Sequence, residues 1–225
     1  MSRHVLSPAE FRNAIYLDFE GEGRKKDGTR PKPHMSGIFY PNEKGAGGKY
    51  ESIFYKSLWR PATNGVRNAE SVEFVEHFKS IAAALEQKQS YLVFWSIYEN
   101  DVLKAFLPAH IYSRIEPRLY NLHPVTKKYL NRKHAFGLEG TAKGKTLEEC
   151  FAALRTKRKP YPPFPLGAAE ACRRIDTACT AHKKWRRFSD KQKSYVRDLV
   201  QYNEGDCRST WIIAKRIGNY FALVN

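Results

Sequence analysis

No apolar run in this 225-residue chain approaches the ~18 residues that a membrane-spanning helix needs. The opening Met1-Ser2-Arg3-His4 leads into mixed sequence without the apolar core of a secretory signal, so a soluble, cytoplasmic protein is expected. Glycine (14) and proline (12) are too few for a collagen-like or low-complexity chain. Cysteine is scarce, and Cys150, Cys172, Cys179 and Cys207 form no Cys-x-x-Cys pair, which reads as reduced thiols. A zinc site from Cys172, Cys179 and His182 would need a fourth ligand at unmatched spacing. A phosphate-loop motif is absent, because Gly48-Lys49 is followed by Tyr50 and position 43 is Glu43. The nucleophile-elbow sequence of a Ser/His/Asp hydrolase is absent too.

What is present is a basic chain with enough apolar residues to build a core. Hydrophobic residues make up 42% and aromatics 13%, which excludes a mainly disordered protein. The length fits one domain with insertions. Lys and Arg number 39 against 23 Asp and Glu, a net charge of +16. The excess is concentrated. Residues 113–193 hold 20 Lys and Arg against 7 Asp and Glu, a net of +13, so this basic segment reads as an elaboration within the single domain. Such a block attracts polyanions, and nucleic acid, DNA or RNA, is the expected partner. In Lys183-Lys184-Trp185-Arg186-Arg187-Phe188 the cations could hold phosphates while the rings stack on bases.

The hydrophobic pattern alternates strands with helices. Ala14–Glu20 reads as a buried strand ending in carboxylates, followed by a loop from Gly21 to Lys32. Ser36–Tyr40 and Ser52–Leu58 read as strands joined by a glycine-containing hairpin connection over Pro41–Tyr50. A helix over Ala69–Gln87, capped by Asn68, would bury Val72, Val75, Phe78, Ala82 and Leu85. Tyr91–Trp95 is a strand buried on both faces, and Asn100–Leu107 a helix. Further on, Leu119–Val125 reads as a strand, Thr146–Leu154 as a short amphipathic helix and Ala168–Lys184 as a helix. Lys159–Pro165, with four prolines, is a loop. Ser189 and Gln192 form a capping-box pattern that opens a final helix. This order implies α/β packing with a mixed sheet flanked by helices.

The carboxylates carry the chemistry. Asp18 and Glu20 are two apart on a strand and leave the same face. Two such groups repel, and a divalent cation relieves that repulsion. Glu99 lies just past the second buried strand. Asp206 lies on the final helix, with Tyr202 four residues before it on the same face. Three segments could therefore bring four oxygen ligands to one crevice, a hard set suited to Mg²⁺ or Mn²⁺.

In these residues the chain resembles a known family. Tyr16-Leu17-Asp18-Phe19-Glu20-Gly21 resembles the first motif of the DEDD exonucleases of the ribonuclease H-like superfamily. Val93-Phe94-Trp95-Ser96-Ile97-Tyr98-Glu99, followed by Leu103, resembles the second. Tyr202-Asn203-Glu204-Gly205-Asp206-Cys207-Arg208-Ser209-Thr210 resembles the third in its Tyr-containing form. The motifs fall in family order over residues 14–218, and Thr146–Leu154 resembles a short helix that often precedes the third. The second motif usually carries Asp where this chain has Glu99. Asp101 is the rival, but Leu103 fits the spacing from Glu99.

The resemblance implies a ribonuclease H-like fold and a metal-dependent 3′–5′ exonuclease. It implies two ions held by Asp18, Glu20, Glu99 and Asp206, with Asp18 bridging, and Tyr202 orienting the attacking water. Arg24, Lys25 and Lys26, directly after the first motif, would hold the incoming strand. A ribonuclease H-like endonuclease and a non-catalytic nucleic-acid-binding module of the same fold are the alternatives.

Overall fold

The structure, a computed structural model, describes residues 5–23, 28–29, 31–42, 45–135, 146–154 and 164–224. Arg24, Lys25 and Lys26 lie outside these residues, as do positions 159–163 of the expected proline-rich loop. The protein is an α/β structure around a six-stranded mixed sheet. Its strands are β1 (Ile15–Glu20), β2 (Met35–Pro41), β3 (Gly48–Phe54), β4 (Ala69–Ser71), β5 (Leu92–Phe94) and β6 (Leu119–Asn121), in the order β4-β3-β2-β1-β5-β6. The β1–β2 and β2–β3 pairs are antiparallel. The β1–β5, β5–β6 and β3–β4 pairs are parallel.

Strand alternation sorts β1 between two cores. Ile15, Leu17 and Phe19 join Phe74, Phe78, Ile81 and Leu85 of α3 (Phe74–Gln87) and Val102 and Leu103 of α4 (Ile97–Phe106). Tyr16 joins the opposite core, with α8 (Ala168–Ala181) and α9 (Asp190–Val224). The period of two therefore places Asp18 and Glu20 on the α9 side, as the sequence predicts. β5 is apolar throughout because both its faces are covered, and Leu92, Val93 and Phe94 are all buried.

α9 crosses β1 and β2. Val196, Val200, Asn203, Cys207, Trp211 and Ala214 form its buried stripe, at the three- and four-residue steps of one helical face. Ser189 and Gln192 make the expected reciprocal cap at its start. α1 (Pro8–Asn13) packs against α9 through Phe11. The remaining helices are α2 (Arg60–Thr63), α5 (Ala109–Ile115), α6 (Leu122–Ala135) and α7 (Leu147–Ala153), with α7 capped by Thr146. Among the described residues no helix is long and apolar enough to cross a membrane.

Several boundaries differ from the sequence expectation. Asn68 does not cap a helix. It has a positive φ of 57° and turns the chain so that Ala69–Ser71 pairs with β3. The helix begins at Phe74, where the Glu73 carboxylate accepts from the amides of Val75 and Glu76. The pairing of β3 ends at Phe54, and Ser57–Trp59 forms a 3₁₀ turn instead of strand. The strand expected over Leu119–Val125 stops at Asn121, whose side chain accepts from the His123 amide and starts α6. The helix expected to reach Lys184 ends at Ala181, before the 3₁₀ turn Trp185–Arg187. The basic segment is woven into the fold: β6 extends the sheet, and α8 buries Cys172, Ile175 and Cys179 against α9.

Candidate metal centre

Asp18 and Glu20 sit at the end of β1, and Asp206 reaches them from α9. One carboxylate oxygen of each lies within 4.8 Å of the others. Glu20 is buried and Asp18 and Asp206 are half-buried. Among the described residues no ion pair neutralises any of the three. They are joined by neutral donors instead. The Asn203 amide donates to Asp18 Oδ2 at 2.6 Å and to Glu20 Oε1 at 3.3 Å. Its own oxygen accepts from the Tyr50 hydroxyl at 2.9 Å, which fixes the amide's orientation. Tyr202 lies beside the Asp206 carboxylate and favours its ionised form.

Burial and mutual repulsion push all three carboxyl groups upward. Desolvation is the first cause for Asp18, followed by the charges of Glu20, Asp206 and Glu99. Glu20 rises to about 8, chiefly by burial and then by Asp206, although the Asn203 bond pulls it down. Asp206 rises to about 7, through burial and the charge of Glu148. Added positive charge would favour the ionised form of all three.

Glu99 stands apart from the group of three and acts on it through its field. It is buried, and Ser96 ties it down: the amide and hydroxyl of Ser96 donate to Glu99 Oε2 at 3.1 and 2.9 Å. This reciprocal cap starts α4 and aims Glu99 toward β1. Asp101, the rival, acts on Tyr112 and is not one of the three gathered carboxylates.

Three contributors lie beyond the predicted carboxylates and Tyr202. In the sequence Asn203 belongs to the third motif, and its signal is a polar residue in the middle of the apolar stripe of α9. Glu148, exposed in the first turn of α7, reaches the centre electrostatically, which only the packing of α7 against α9 arranges. Phe164 stacks on the Tyr202 ring at 5.6 Å between centroids, holding that side chain beside Asp206.

A second group, Glu22, His34 and Asp176, also gathers within 4.8 Å, but it contains its own cation. Lys56 Nζ lies 2.7 Å from Asp176 and 3.8 Å from Glu22. The indole of Trp59 donates to the other Asp176 oxygen at 2.6 Å. Here a lysine does what the first cluster leaves undone. Cys172, Cys179 and His182 do not form a ligand cluster among the described residues, and all four cysteines are buried and free.

The basic run 183–187 lies at the surface. Lys183, Lys184, Arg186 and Arg187 are exposed, whereas the Trp185 ring packs on Gly65 and Phe188. Arg197 lies over the same ring at 5.9 Å. That ring is engaged within the protein, so a base could reach only what remains open of it.

Compared with family models, curated proteins and solved structures, the chain matches none.

Proposed function

We propose that the protein is a metal-dependent nuclease, acting as a 3′–5′ exonuclease through Asp18, Glu20, Asp206 and Glu99. The observation that carries this reading is the un-neutralised carboxylate cluster. The same fold supplies Lys56 to Glu22 and Asp176, yet among the described residues no cation pairs with Asp18, Glu20 or Asp206. Their donors are all hard oxygens, which suits Mg²⁺ or Mn²⁺ over softer metals. The mixed sheet, with β1–β3 antiparallel and β5 and β6 parallel to β1, is compatible with a ribonuclease H-like fold.

Asp18, Glu20 and Asp206 would hold the ions, and Glu99 would complete the set directly or through water. Bound divalent cations would supply the positive charge that an in-line displacement at phosphorus needs on its attacking and leaving oxygens. Asn203 keeps the Asp18 and Glu20 carboxylates in one orientation before any ligand arrives. Tyr202, braced by Phe164, presents its hydroxyl beside Asp206, where it can orient the attacking water. The net charge of +16 supports a polyanionic substrate.

The test is cleavage of end-labelled single strands of DNA and RNA with Mg²⁺, Mn²⁺ or EDTA, with Asp18→Asn and Asp206→Asn run alongside. The expected result is a metal-dependent ladder shortening from the 3′ end, absent in both variants. Internal cuts lost in both variants would move the function to endonuclease. Metal-independent cleavage, or none with retained binding, would overturn the catalytic reading.

A further inference from the structure

A second feature of α9 faces away from the acid cluster. Arg197, Glu204, Arg208 and Lys215 follow one another at steps of seven, four and seven, so they line one flank of the helix. Tyr202 and Asp206 lie about half a turn round from that flank. Between the basic flank and the edge of the sheet runs a cleft of about 400 Å³, whose lining includes Lys49, Arg67, Arg197, Gln201 and Arg208. Two of its cations lie over rings, Arg197 over Trp185 at 5.9 Å and Arg208 over Phe39 at 4.7 Å. Beyond the cleft on the same flank, Lys215 lies over Trp211 at 5.7 Å. Glu204 pairs with Arg208 at 2.7 Å, and Glu51 pairs with Lys49. Arg67 and Arg197 are exposed and have no carboxylate partner among the described residues. From Arg197 to Lys215 the row extends about 27 Å at 1.5 Å per residue.

We infer that this cleft is a remote track for the nucleic-acid backbone, holding a part of the strand several nucleotides from the bond being cut. The inference rests on the nucleic-acid reading above and extends it to substrate length. The partner it fits is a polymer with regularly spaced phosphates, since the cations form a row and not a single cluster. A strand that occupies both the cleft and the acid centre must pass around α9, about 10–12 Å across. Short oligonucleotides therefore reach the acid centre alone, and longer ones engage both.

The test separates the two claims by measuring binding in EDTA and cleavage in Mg²⁺. Fluorescent 4-mers and 20-mers are titrated across salt concentrations against the wild type and the variant Lys49→Ala/Arg67→Ala/Arg197→Ala. A control, Lys79→Ala/Lys88→Ala/Lys104→Ala, removes equal charge from the opposite side of the sheet. The cleft variant is expected to lower the salt slope of 20-mer binding by about two, roughly one for each of the unpaired cations Arg67 and Arg197. Cleavage of the 4-mer in Mg²⁺ should stay at wild-type levels, and thermal melting should confirm that both variants fold. An equal loss in the control, or no loss in the cleft variant, would overturn the track while leaving the nuclease reading intact. Failure of the wild type to bind the 20-mer would overturn it as well. A selective loss in a protein that never cleaves would support the track and remove the catalytic reading alone.

Discussion

The Asn203 side-chain amide donates to Asp18 Oδ2 at 2.6 Å, across 185 residues of sequence. It ties α9 to β1 at the point where the two elements bring their carboxylates together. Because Tyr50 donates to the Asn203 oxygen, the amide nitrogen must face the acids. A neutral residue thus organises an anionic centre without neutralising it.

That arrangement needs Gly37. On β2, opposite Asp18, a Cβ would collide with the Asn203 amide oxygen and come within 2.7 Å of the Tyr50 ring. Gly37→Ala is expected to displace Asn203, cost about 1–3 kcal/mol as overpacking and weaken metal affinity. Urea unfolding and a Mn²⁺ titration would measure the two effects. Unchanged stability would mean that the strand shifts to accommodate the methyl.

Tyr202→Phe keeps the ring on Phe164 and removes only the hydroxyl beside Asp206. Cleavage is expected to slow by about 10²-fold, in the range of a lost positioning group, with metal affinity nearly unchanged. Loss of metal binding in this variant would assign Tyr202 a structural role.

The metal-free protein should become less stable as pH rises above about 6.5. Glu20 at about 8 and Asp206 at about 7 both lie above their ordinary values of 4.5 and 3.8. The folded state therefore keeps protons that the unfolded chain has released, and stability falls with pH until those groups ionise. His77, lowered by burial to about 4 from 6.5, acts in the opposite sense, but its contribution is complete above about 6.5. Thermal melts in EDTA should show Tm falling between pH 6.5 and 8.5. Mg²⁺ should raise Tm most at the alkaline end, because the cation favours the ionised carboxylates. A flat or rising EDTA curve would contradict the burial of the cluster.

The Lys56–Asp176 pair predicts a structural cost without a catalytic one. Asp176→Ala strips acceptors from Lys56 and from the buried Trp59 indole. The expected loss is about 2–3 kcal/mol in urea unfolding, as for charge-assisted bonds, with metal affinity at the Asp18 centre retained. Loss of that affinity would show that the two clusters act as one.

Much of the centre is legible in the sequence because its parts obey local rules. Period-two alternation puts Asp18 and Glu20 on one face, and the four-residue step puts Tyr202 beside Asp206. The start of α4 is not among these: the helix expected from Asn100 begins at Ile97, where Ser96 and Glu99 cap each other. Asn68 illustrates the limit of local rules. Its cap-like pattern was overruled by a parallel pairing between residues 52–54 and 69–71 that only the assembled sheet provides.

By itself the sequence determined which faces are apolar, where the acids sit along their elements and that the chain is strongly basic. These depend on the identity and spacing of neighbours. Tertiary structure alone decided that Asn203 would bridge Asp18 and Glu20, that Lys56 would pair with Asp176 and Glu22 and not with the Asp18 cluster, and that the basic flank of α9 would turn away from its acids. Those outcomes depend on distances between segments far apart in the chain, and packing of α9 across β1 and β2 sets those distances.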